Sequence, residues 1–285
     1  MEKHTVSASL TDNTKYMNRA LPVKKSFDII ERTLIIGGQN SAFYFIDGFT
    51  KDEIILKLMD SFLNISADDM PEDATSFSTS CIPYVEVDIL GDFDSIFKNL
   101  LSGVTCLFID GYEAAIAIDC RTYPSRSIEE PDKDKSLRGS RDGFVETIVF
   151  NTALMRRRIR DPHLIMEMYE AGTSTRTDVA LCYMSDRVDR ELLTTIQNKL
   201  EESKSQDLKM SQQSLAEALF QRKWYNPFPK YKFTERPDTA CACLMEGKVI
   251  ILTDTSPSAL ILPTSIFDMI EEANDYYFHQ SPEST

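Results

Sequence analysis

A repeat with a spacing of 144 residues is the feature that most constrains how this chain can fold. The segment LLSGVTCLFIDGYEAAIAI in the first half aligns with LMEGKVIILTDTSPSALIL in the second. Three matched positions anchor the alignment: Gly103 with Gly247, Asp110 with Asp254, and Ala115 with Ala259. Solenoid repeats are much shorter, at roughly 20–50 residues, so this spacing predicts two copies of one lobe.

Both halves also share one order of predicted elements. A hairpin pattern, RTLIIGGQNSAFYFIDGF, opens the first half, and HLIMEMYEAGTSTRTDVALCYM opens the second. An amphipathic helix, a strand followed by a short helix, and a closing hairpin come next in each half. Similar capping and turning chemistry could produce this likeness without duplication, but the order of all the elements favours duplication.

The predicted fold class is therefore α/β, with two similar α/β lobes joined by a basic loop-plus-helix connector. The predicted parts are a polar, flexible tail over residues 1–32, a first lobe over 33–120, the connector over 121–160, and a second lobe over 161–285.

Composition excludes several classes of protein. The formal net charge of −14 repels phosphate backbones and predicts that nucleic acid is not a partner. The six cysteines form no CxxC pair, which favours a reducing compartment over a secreted disulfide framework. The longest apolar runs have strand length, and the N-terminus lacks the pattern of a secretory signal, so these residues are expected to fold as a soluble unit.

The connector carries a local excess of positive charge. Residues 120–160 contain ten lysines or arginines against six aspartates or glutamates. The pattern predicts a loop followed by a helix from about residue 143 to 159, with Arg156, Arg157, Arg158 and Arg160 near the C-terminal end, where cations suit the helix dipole.

Two interpretations of these charges remain open. In the first, guanidinium groups and bare backbone N–H groups around RGSRDGF bind an anion before a helix N-terminus. In the second, these arginines pair with Glu129, Glu130, Asp142 or Glu146, or with the acidic lobes, and hold the connector in place. The second interpretation is favoured because ion-pair networks are commoner than anion sites. The candidate interface or anion-contact residues are Arg126, Glu129, Glu130, Arg138, Gly139, Arg141, Gly143, Glu146, Arg156, Arg157 and Arg158.

The sequence predicts neither an enzyme nor a metal or cofactor site. The three histidines, His4, His163 and His279, are far apart in the chain, and no nucleophile, zinc, phosphate-loop or dinucleotide motif is present. Cys241 and Cys243 could seat a metal, but at i and i+2 of a predicted helix they point to different faces. Buried thiols are therefore the favoured interpretation of this pair.

The connector also carries a family resemblance. The run SRSIEEPDKDKSLRGSRDGFVETIVFNTALMRRRIRDPH resembles the signature of the A subunits of GerA-type germinant receptors, with its GRSIEEP-like, RGPREGFVE-like and NT-x-L-x-RRRI pieces. FTERPD, LMEGKVIILTDTSPSALILP and ANDYYF are also similar to that family, so the resemblance extends from about residue 30 to 280. Ser140 and Asp142 are mild departures, since the family pattern has proline and glutamate there.

This resemblance implies a non-enzymatic, signalling role. In the family, the A subunit is a polytopic membrane protein whose N-terminal region lies on the cytosolic side of the spore inner membrane. The resemblance implies three kinds of partner: a transporter-like B subunit, a C lipoprotein and other copies of the A subunit. It further implies a contribution to assembly or gating of a nutrient-responsive ion channel, with the membrane contacted through a following C-terminal domain.

A ligand-binding function is the alternative. Two similar α/β lobes around a connector are typical of hinge-closing sensors, in which a small molecule or anion binds in the cleft between the lobes. Fold analogy alone does not establish a ligand, so contacts with other subunits are favoured over this alternative.

Overall fold

The computed structural model describes residues 4–50, 52–123, 142–204, 215, 216, 219 and 231–264. The chain divides into two compact units. The first lobe comprises Met1–Pro124 and Arg160–Pro162, and the second comprises Ser125–Ile159 and His163–Thr285.

The first lobe alternates helices with short strands. Its elements are α1 (Leu10–Ala20), β1 (Ile29–Ile36), β2 (Gln39–Ile46), α2 (Asp52–Leu63), a 3₁₀ turn (Ala67–Asp69), α3 (Ala74–Ser80), β3 (Val87–Leu90), α4 (Phe93–Leu101), β4 (Thr105–Ile109) and β5 (Ala115–Ile118). Asp73 and Asp92 begin α3 and α4 by accepting hydrogen bonds from backbone N–H groups of the first turn.

The second lobe follows nearly the same plan. Its elements are α5 (Ile148–Arg158), β6 (Leu164–Ala171), β7 (Thr177–Met184), α6 (Arg190–Ser203), β8 (Lys232–Thr234), α7 (Pro237–Met245), β9 (Val249–Thr253) and β10 (Ala259–Leu262). Asp189 begins α6 as an N-cap, and Pro237 occupies the first turn of α7, where its missing N–H costs nothing.

The two sheets have the same topology. Each has five antiparallel strands, in the order β1-β2-β4-β5-β3 in the first lobe and β6-β7-β9-β10-β8 in the second. Identical strand orders do not follow from local capping chemistry, so they confirm the predicted pair of similar α/β lobes.

Helices cover both faces of each sheet. In the first lobe, α2 and α3 pack on the face that carries Phe43 and Leu107, while α1 and α4 pack on the opposite face, where Tyr44 meets Phe108 at a ring distance of 5.7 Å. In the second lobe, α6 covers one face and α5 and α7 lie against β7 and β9. Each lobe therefore has its own core.

The two glycines matched in the repeat end equivalent helices. Gly103 follows α4 with φ of +99°, and Gly247 follows α7 with φ of +87°, a backbone region that favours glycine. A Cβ on Gly103 would lie 2.4 Å from Phe49, and one on Gly247 would lie 2.6 Å from the backbone oxygen of Arg187. Both turns therefore need glycine for conformation and for space.

The structure corrects the predicted N-terminal tail. Residues 10–20 form α1, which buries Asn13 and Met17 against the first sheet. The segment is polar and lacks a long apolar stripe, so it resembled a tail in sequence. Its helix is stabilised by tertiary partners, one of which is Asp110, which accepts a hydrogen bond from Leu10 N at 2.8 Å.

The predicted connector also changes at both ends. Arg121 belongs to the first lobe, where its side chain forms an ion pair with Asp119 and its backbone forms an isolated β-bridge with Thr50. The helix predicted from about residue 143 begins at Ile148 and is an element of the second lobe, because it packs on α7, β7 and β9.

Asp47 should make the first lobe's stability depend on pH. Burial raises the pKa of this carboxyl; the backbone N–H of Gly48 opposes the shift, and the charges of Asp28 and Asp52 add to it. Because the folded-state pKa lies above the usual value of 3.8, the contribution of Asp47 to stability is present below that pH and is lost as pH rises through the raised pKa. Asp47→Asn should therefore raise the melting temperature modestly at pH 7, and the gain should vanish toward pH 4.

Circular dichroism melts between pH 4 and pH 7 would measure this difference. Asp60→Asn is the matched control, because Asp60 is exposed on α2. This variant should have the same dependence of melting temperature on pH as the parent chain. If Asp47→Asn had a lower melting temperature than the parent chain at pH 7, the buried carboxylate of Asp47 would not destabilise the lobe at that pH.

Candidate functional site

Equivalent asparagines anchor the first helix of each lobe. In the first lobe, Asn13 accepts from Ser7 N at 2.9 Å and donates to Ser7 O at 2.6 Å. In the second lobe, Asn151 accepts from Val145 N at 2.8 Å and donates to Val145 O at 2.6 Å. Both asparagines are buried, so each amide side chain satisfies two backbone groups of the segment that enters the helix.

Equivalent aspartates tie the start of these helices to the closing hairpin. Asp110 accepts from Leu10 N at 2.8 Å, and Asp254 accepts from Ile148 N at 3.1 Å. A carboxylate at a helix N-terminus suits both the unpaired N–H groups and the helix dipole. The aspartates matched by the repeat are thus long-range helix caps, which the sequence alignment did not reveal.

Arg156 lies fully buried in the second lobe, at the end of α5. Its side chain has no solvent exposure, and its Nη2 donates to Leu164 O at 3.0 Å, at the first residue of β6. A buried guanidinium requires hydrogen-bonding partners, so this arginine joins the end of α5 to the beginning of the sheet.

Arg158 pairs with Asp142 on the same lobe. Its Nη2 donates to both carboxylate oxygens at 2.6 Å, and the two side chains are about one-third exposed, at 29% and 33%. Burial acts to lower the pKa of Arg158, but the hydrogen bonds and charge of Asp142 outweigh it and the net shift is upward. Asp142 is thus the partner of Arg158, whereas Arg138 and Arg141, the arginines of RGSRDGF that the two interpretations concerned, lie outside the described residues.

A second buried arginine begins α7. Arg236 is 1% exposed and pairs with Asp238, which accepts from Arg236 Nε at 3.0 Å. Nearby, Cys241 donates to Met155 O at 3.9 Å, and burial raises the pKa of the Cys241 thiol to about 12. At neutral pH this thiol is protonated and is a poor nucleophile or metal ligand.

These arginines distinguish the second lobe from the first. When α1 is aligned with α5, Asn18 occupies the position of Arg156. When α4 is aligned with α7, Asp92 occupies the position of Arg236. We call the group Arg156, Arg158, Arg236, Asp142 and Asp238 the arginine cluster. Arg156 joins α5 to β6, Arg158 joins α5 to Asp142, and the Arg236–Asp238 pair lies at the start of α7, which packs on α5. The chemistry of the cluster is therefore that of a charged brace for the second lobe.

The structure describes five of the predicted site residues. Gly143 is buried, Arg157 is exposed, and Glu146 is exposed while its backbone oxygen accepts from Thr255 N at 2.7 Å. Arg156 and Arg158 belong to the arginine cluster described above. The other predicted site residues lie outside the described part of the chain: Arg126, Glu129, Glu130, Arg138, Gly139 and Arg141.

Sequence reasoning missed Asn151, Arg236 and Asp238. The repeat could have indicated Asn151, because Asn13 has the same position relative to α1. Among the residues the structure describes, no group of three or more histidine, cysteine, aspartate or glutamate side chains is placed to hold a metal ion. Neither does any described helix have the length and apolar composition needed to cross a bilayer.

Fold and site together define a two-lobed, internally duplicated α/β domain whose second lobe is braced by buried arginines. The sequence model of the Bacillus/Clostridium GerA spore germination protein family matches residues 15–284. The chain belongs to this family.

Named relatives support this assignment. The chain is 34% identical over 276 residues to stage V sporulation protein AF of Bacillus subtilis (strain 168), covering 96% of this chain and 56% of that protein. It is 30% identical to membrane protein YfkQ and 29% identical to spore germination protein KA of the same organism, covering 95% of this chain and 52% and 50% of those proteins. The chain therefore spans about half the length of the curated relatives it matches.

A solved structure has the same fold. The crystal structure of the N-terminal domain of the A subunit of the Bacillus megaterium spore germinant receptor GerK3 matches with a TM-score of 0.68. The match covers 93% of this chain and 99% of the solved chain at 23% sequence identity. At that identity the comparison establishes the fold.

Proposed function

We propose that this chain is the N-terminal domain of the A subunit of a GerA-type germinant receptor and that it serves assembly or gating without catalysing a reaction. The observation that carries the proposal is the fold match with an A-subunit N-terminal domain over 93% of the chain, together with family membership. In the receptor, the domain contributes to a nutrient-responsive ion channel that starts spore germination.

The chemistry of the described site supports a structural role. The arginine cluster makes internal hydrogen bonds, and the Cys241 thiol is buried with a raised pKa. Neither group offers an activated nucleophile or a free base, which acyl or phosphoryl transfer requires. A domain of this kind acts through the surfaces it presents to neighbouring subunits.

The proposed location is the cytosolic side of the spore inner membrane. The proposed partners are a transporter-like B subunit, a C lipoprotein and other A subunits, with the membrane part of the protein supplied by further residues. The lengths of the relatives support the proposed membrane part, since this chain covers 56% of stage V sporulation protein AF and 52% of a relative named as a membrane protein.

Charge reversal at Arg157 tests the function. Arg157 is exposed at the C-terminal end of α5, so Arg157→Glu changes the surface charge where the domain is basic. In spores carrying the full-length protein, we expect nutrient-triggered release of ions and dipicolinate to fall at least tenfold, because a charge facing a partner changes sign.

Arg190→Glu provides the matched control. Arg190 is also exposed in the second lobe, at the start of α6, where an acidic residue is compatible with the helix N-terminus. This variant should release normally, immunoblots should show equal protein levels, and melts of the purified chain should show that both variants fold. Normal release from Arg157→Glu spores would contradict a role for this surface in assembly or gating.

A further inference from the structure

A cavity of about 290 Å³ lies in the first lobe, beside the exposed face of α1. Its lining includes Asp12, Lys15, Tyr16 and Arg19, which share one face of the helix because they are spaced by three or four residues. All of the lining residues belong to the first lobe. Ligand pockets have volumes of roughly 300–1,000 Å³, so this cavity has the size for a small molecule.

The segment before α1 forms the other wall of the cavity and is held by backbone hydrogen bonds. His4 O accepts from Phe93 N at 3.0 Å, and Val6 N donates to Gly91 O at 2.9 Å. The buried amide of Asn13 fixes the end of the same segment at the start of the helix. The cavity is therefore preorganised, which reduces the conformational entropy that a ligand must overcome.

Aromatic rings make part of the lining apolar. The rings of His4 and Tyr16 stack with their centroids 4.4 Å apart, and the ring of Tyr16 lies 4.4 Å from that of Phe93. All three residues line the cavity. A flat or apolar part of a ligand would lose contact with water against these rings.

The charged side chains of the lining favour an anion. Lys15 and Arg19 bring two positive charges, and Asp12 brings one negative charge. Lys15 and Arg19 are exposed, and neither forms an ion pair or a side-chain hydrogen bond with a residue that the structure describes. The net charge of the three side chains suits a carboxylate, which carries a single negative charge, better than a phosphate monoester, which carries nearly two.

The second lobe shows the same helix face in a purely structural role. When α1 is aligned with α5, Ala153 occupies the position of Lys15, and Leu154 occupies that of Tyr16. Ala153 is 1% exposed and Leu154 is 6% exposed, so this face of α5 is apolar and covered. The repeated fold therefore does not require a charged and aromatic face at this position, and the face of α1 is open to solvent.

We propose that this cavity binds a small carboxylate with an apolar body. The carboxylate lies between Lys15 and Arg19, and the apolar part contacts the rings of Tyr16 and Phe93. The site goes beyond the proposed role in assembly or gating and does not depend on it. Because the cavity is open to solvent, we expect a dissociation constant of about 1 mM for a ligand of this size.

Titration with phenylpropionate, followed in backbone amide spectra of the ¹⁵N-labelled chain, tests the site. A tag at the C-terminus leaves the residues before His4 unchanged. We expect saturable shifts of the amide signals of Thr5, Tyr16, Arg19 and Phe93. Phenylethylamine has a similar apolar body but carries an ammonium group in place of the carboxylate, so it should give no saturable shifts.

Lys15→Glu reverses a charge of the lining on an exposed position. This variant should raise the dissociation constant for phenylpropionate by roughly tenfold or more, because a charge-assisted hydrogen bond is lost and a repulsion is gained. Lys24→Glu is the matched control, since Lys24 is an exposed lysine of the same lobe that does not line the cavity. It should bind phenylpropionate within about twofold of the parent chain.

Spectra of both variants without ligand should match the parent chain away from the changed residue, which shows that they fold. Four results would each overturn the proposal: no saturable shifts, shifts that cluster elsewhere in the chain, equal binding of phenylethylamine, or unchanged affinity in Lys15→Glu. Saturable shifts at the cavity that require both the carboxylate and Lys15 would support it.

Discussion

Asp238→Asn should destabilise the second lobe by about 3 kcal/mol, because it leaves the Arg236 guanidinium with an incompletely compensated charge. Arg236 is 1% exposed and the side chain of Asp238 is 12% exposed, so solvent screens this pair weakly. Removing one partner of such a pair typically costs about 3–5 kcal/mol, and the lower end applies here because Arg236 has further interactions.

Calorimetry or urea unfolding of the purified chain would measure this loss. Because the chain has two compact units, unfolding should be fitted with a transition for each lobe. Asp186→Asn is the control: Asp186 also pairs with a neighbouring arginine, Arg187, but both side chains are 34% exposed. This control should unfold like the parent chain. If Asp238→Asn also unfolded like the parent chain, the Arg236–Asp238 pair would not stabilise the second lobe.

Asn151→Ala and Asn13→Ala should each destabilise their own lobe by about 3 kcal/mol. Each substitution leaves a backbone N–H and a backbone C=O without their side-chain partner, and each such group costs about 1–3 kcal/mol when buried. Asn151 is fully buried and Asn13 is 2% exposed, so water replaces these bonds poorly.

The paired design separates the two lobes. Asn151→Ala should shift only the transition of the second lobe, and Asn13→Ala only that of the first. Asn64→Ala removes an exposed asparagine that donates to Asp60 O at 2.8 Å, and it should change stability by no more than about 0.5 kcal/mol. Equal effects of all three alanine variants would rule out the anchoring role of the buried amides.

The hairpins and the helices α2, α4 and α6 follow directly from patterns in the sequence. The alternation in FYFID and the 3.6-residue spacing in DEIILKLMDSF need only a buried side and an exposed side to define a strand and a helix. The matched glycines Gly103 and Gly247 also follow from local sequence, because a helix end in the left-handed backbone region favours glycine.

The first helix of each lobe was harder to place. The segment LTDNTKYMNRA buries only Asn13 and Met17, so its pattern resembles a polar tail. Its start depends on Asp110, which is 100 residues away in the chain. The equivalent helix α5 was predicted about five residues too early, because its true start is capped by Asp254 from the closing hairpin.

Part of the candidate site could likewise be predicted. The excess of arginines in residues 120–160 indicated a charged site, and Asp142 was among the acids expected to pair with them. The sequence did not indicate that Arg156 is buried or that Arg236 and Asp238 belong to the same cluster, because these residues are brought together only by the packing of α5 on α7.

The sequence by itself determined that the chain is duplicated, which hairpins and amphipathic helices recur in its two halves and which family it resembles, because periodicity and repeated motifs are properties of local sequence. Only the tertiary structure decided which helix belongs to which lobe, which arginines are buried and which strands are left at the sheet edges. Those features depend on contacts between residues far apart in the chain, such as Asp254 with Ile148, and no local pattern encodes such contacts.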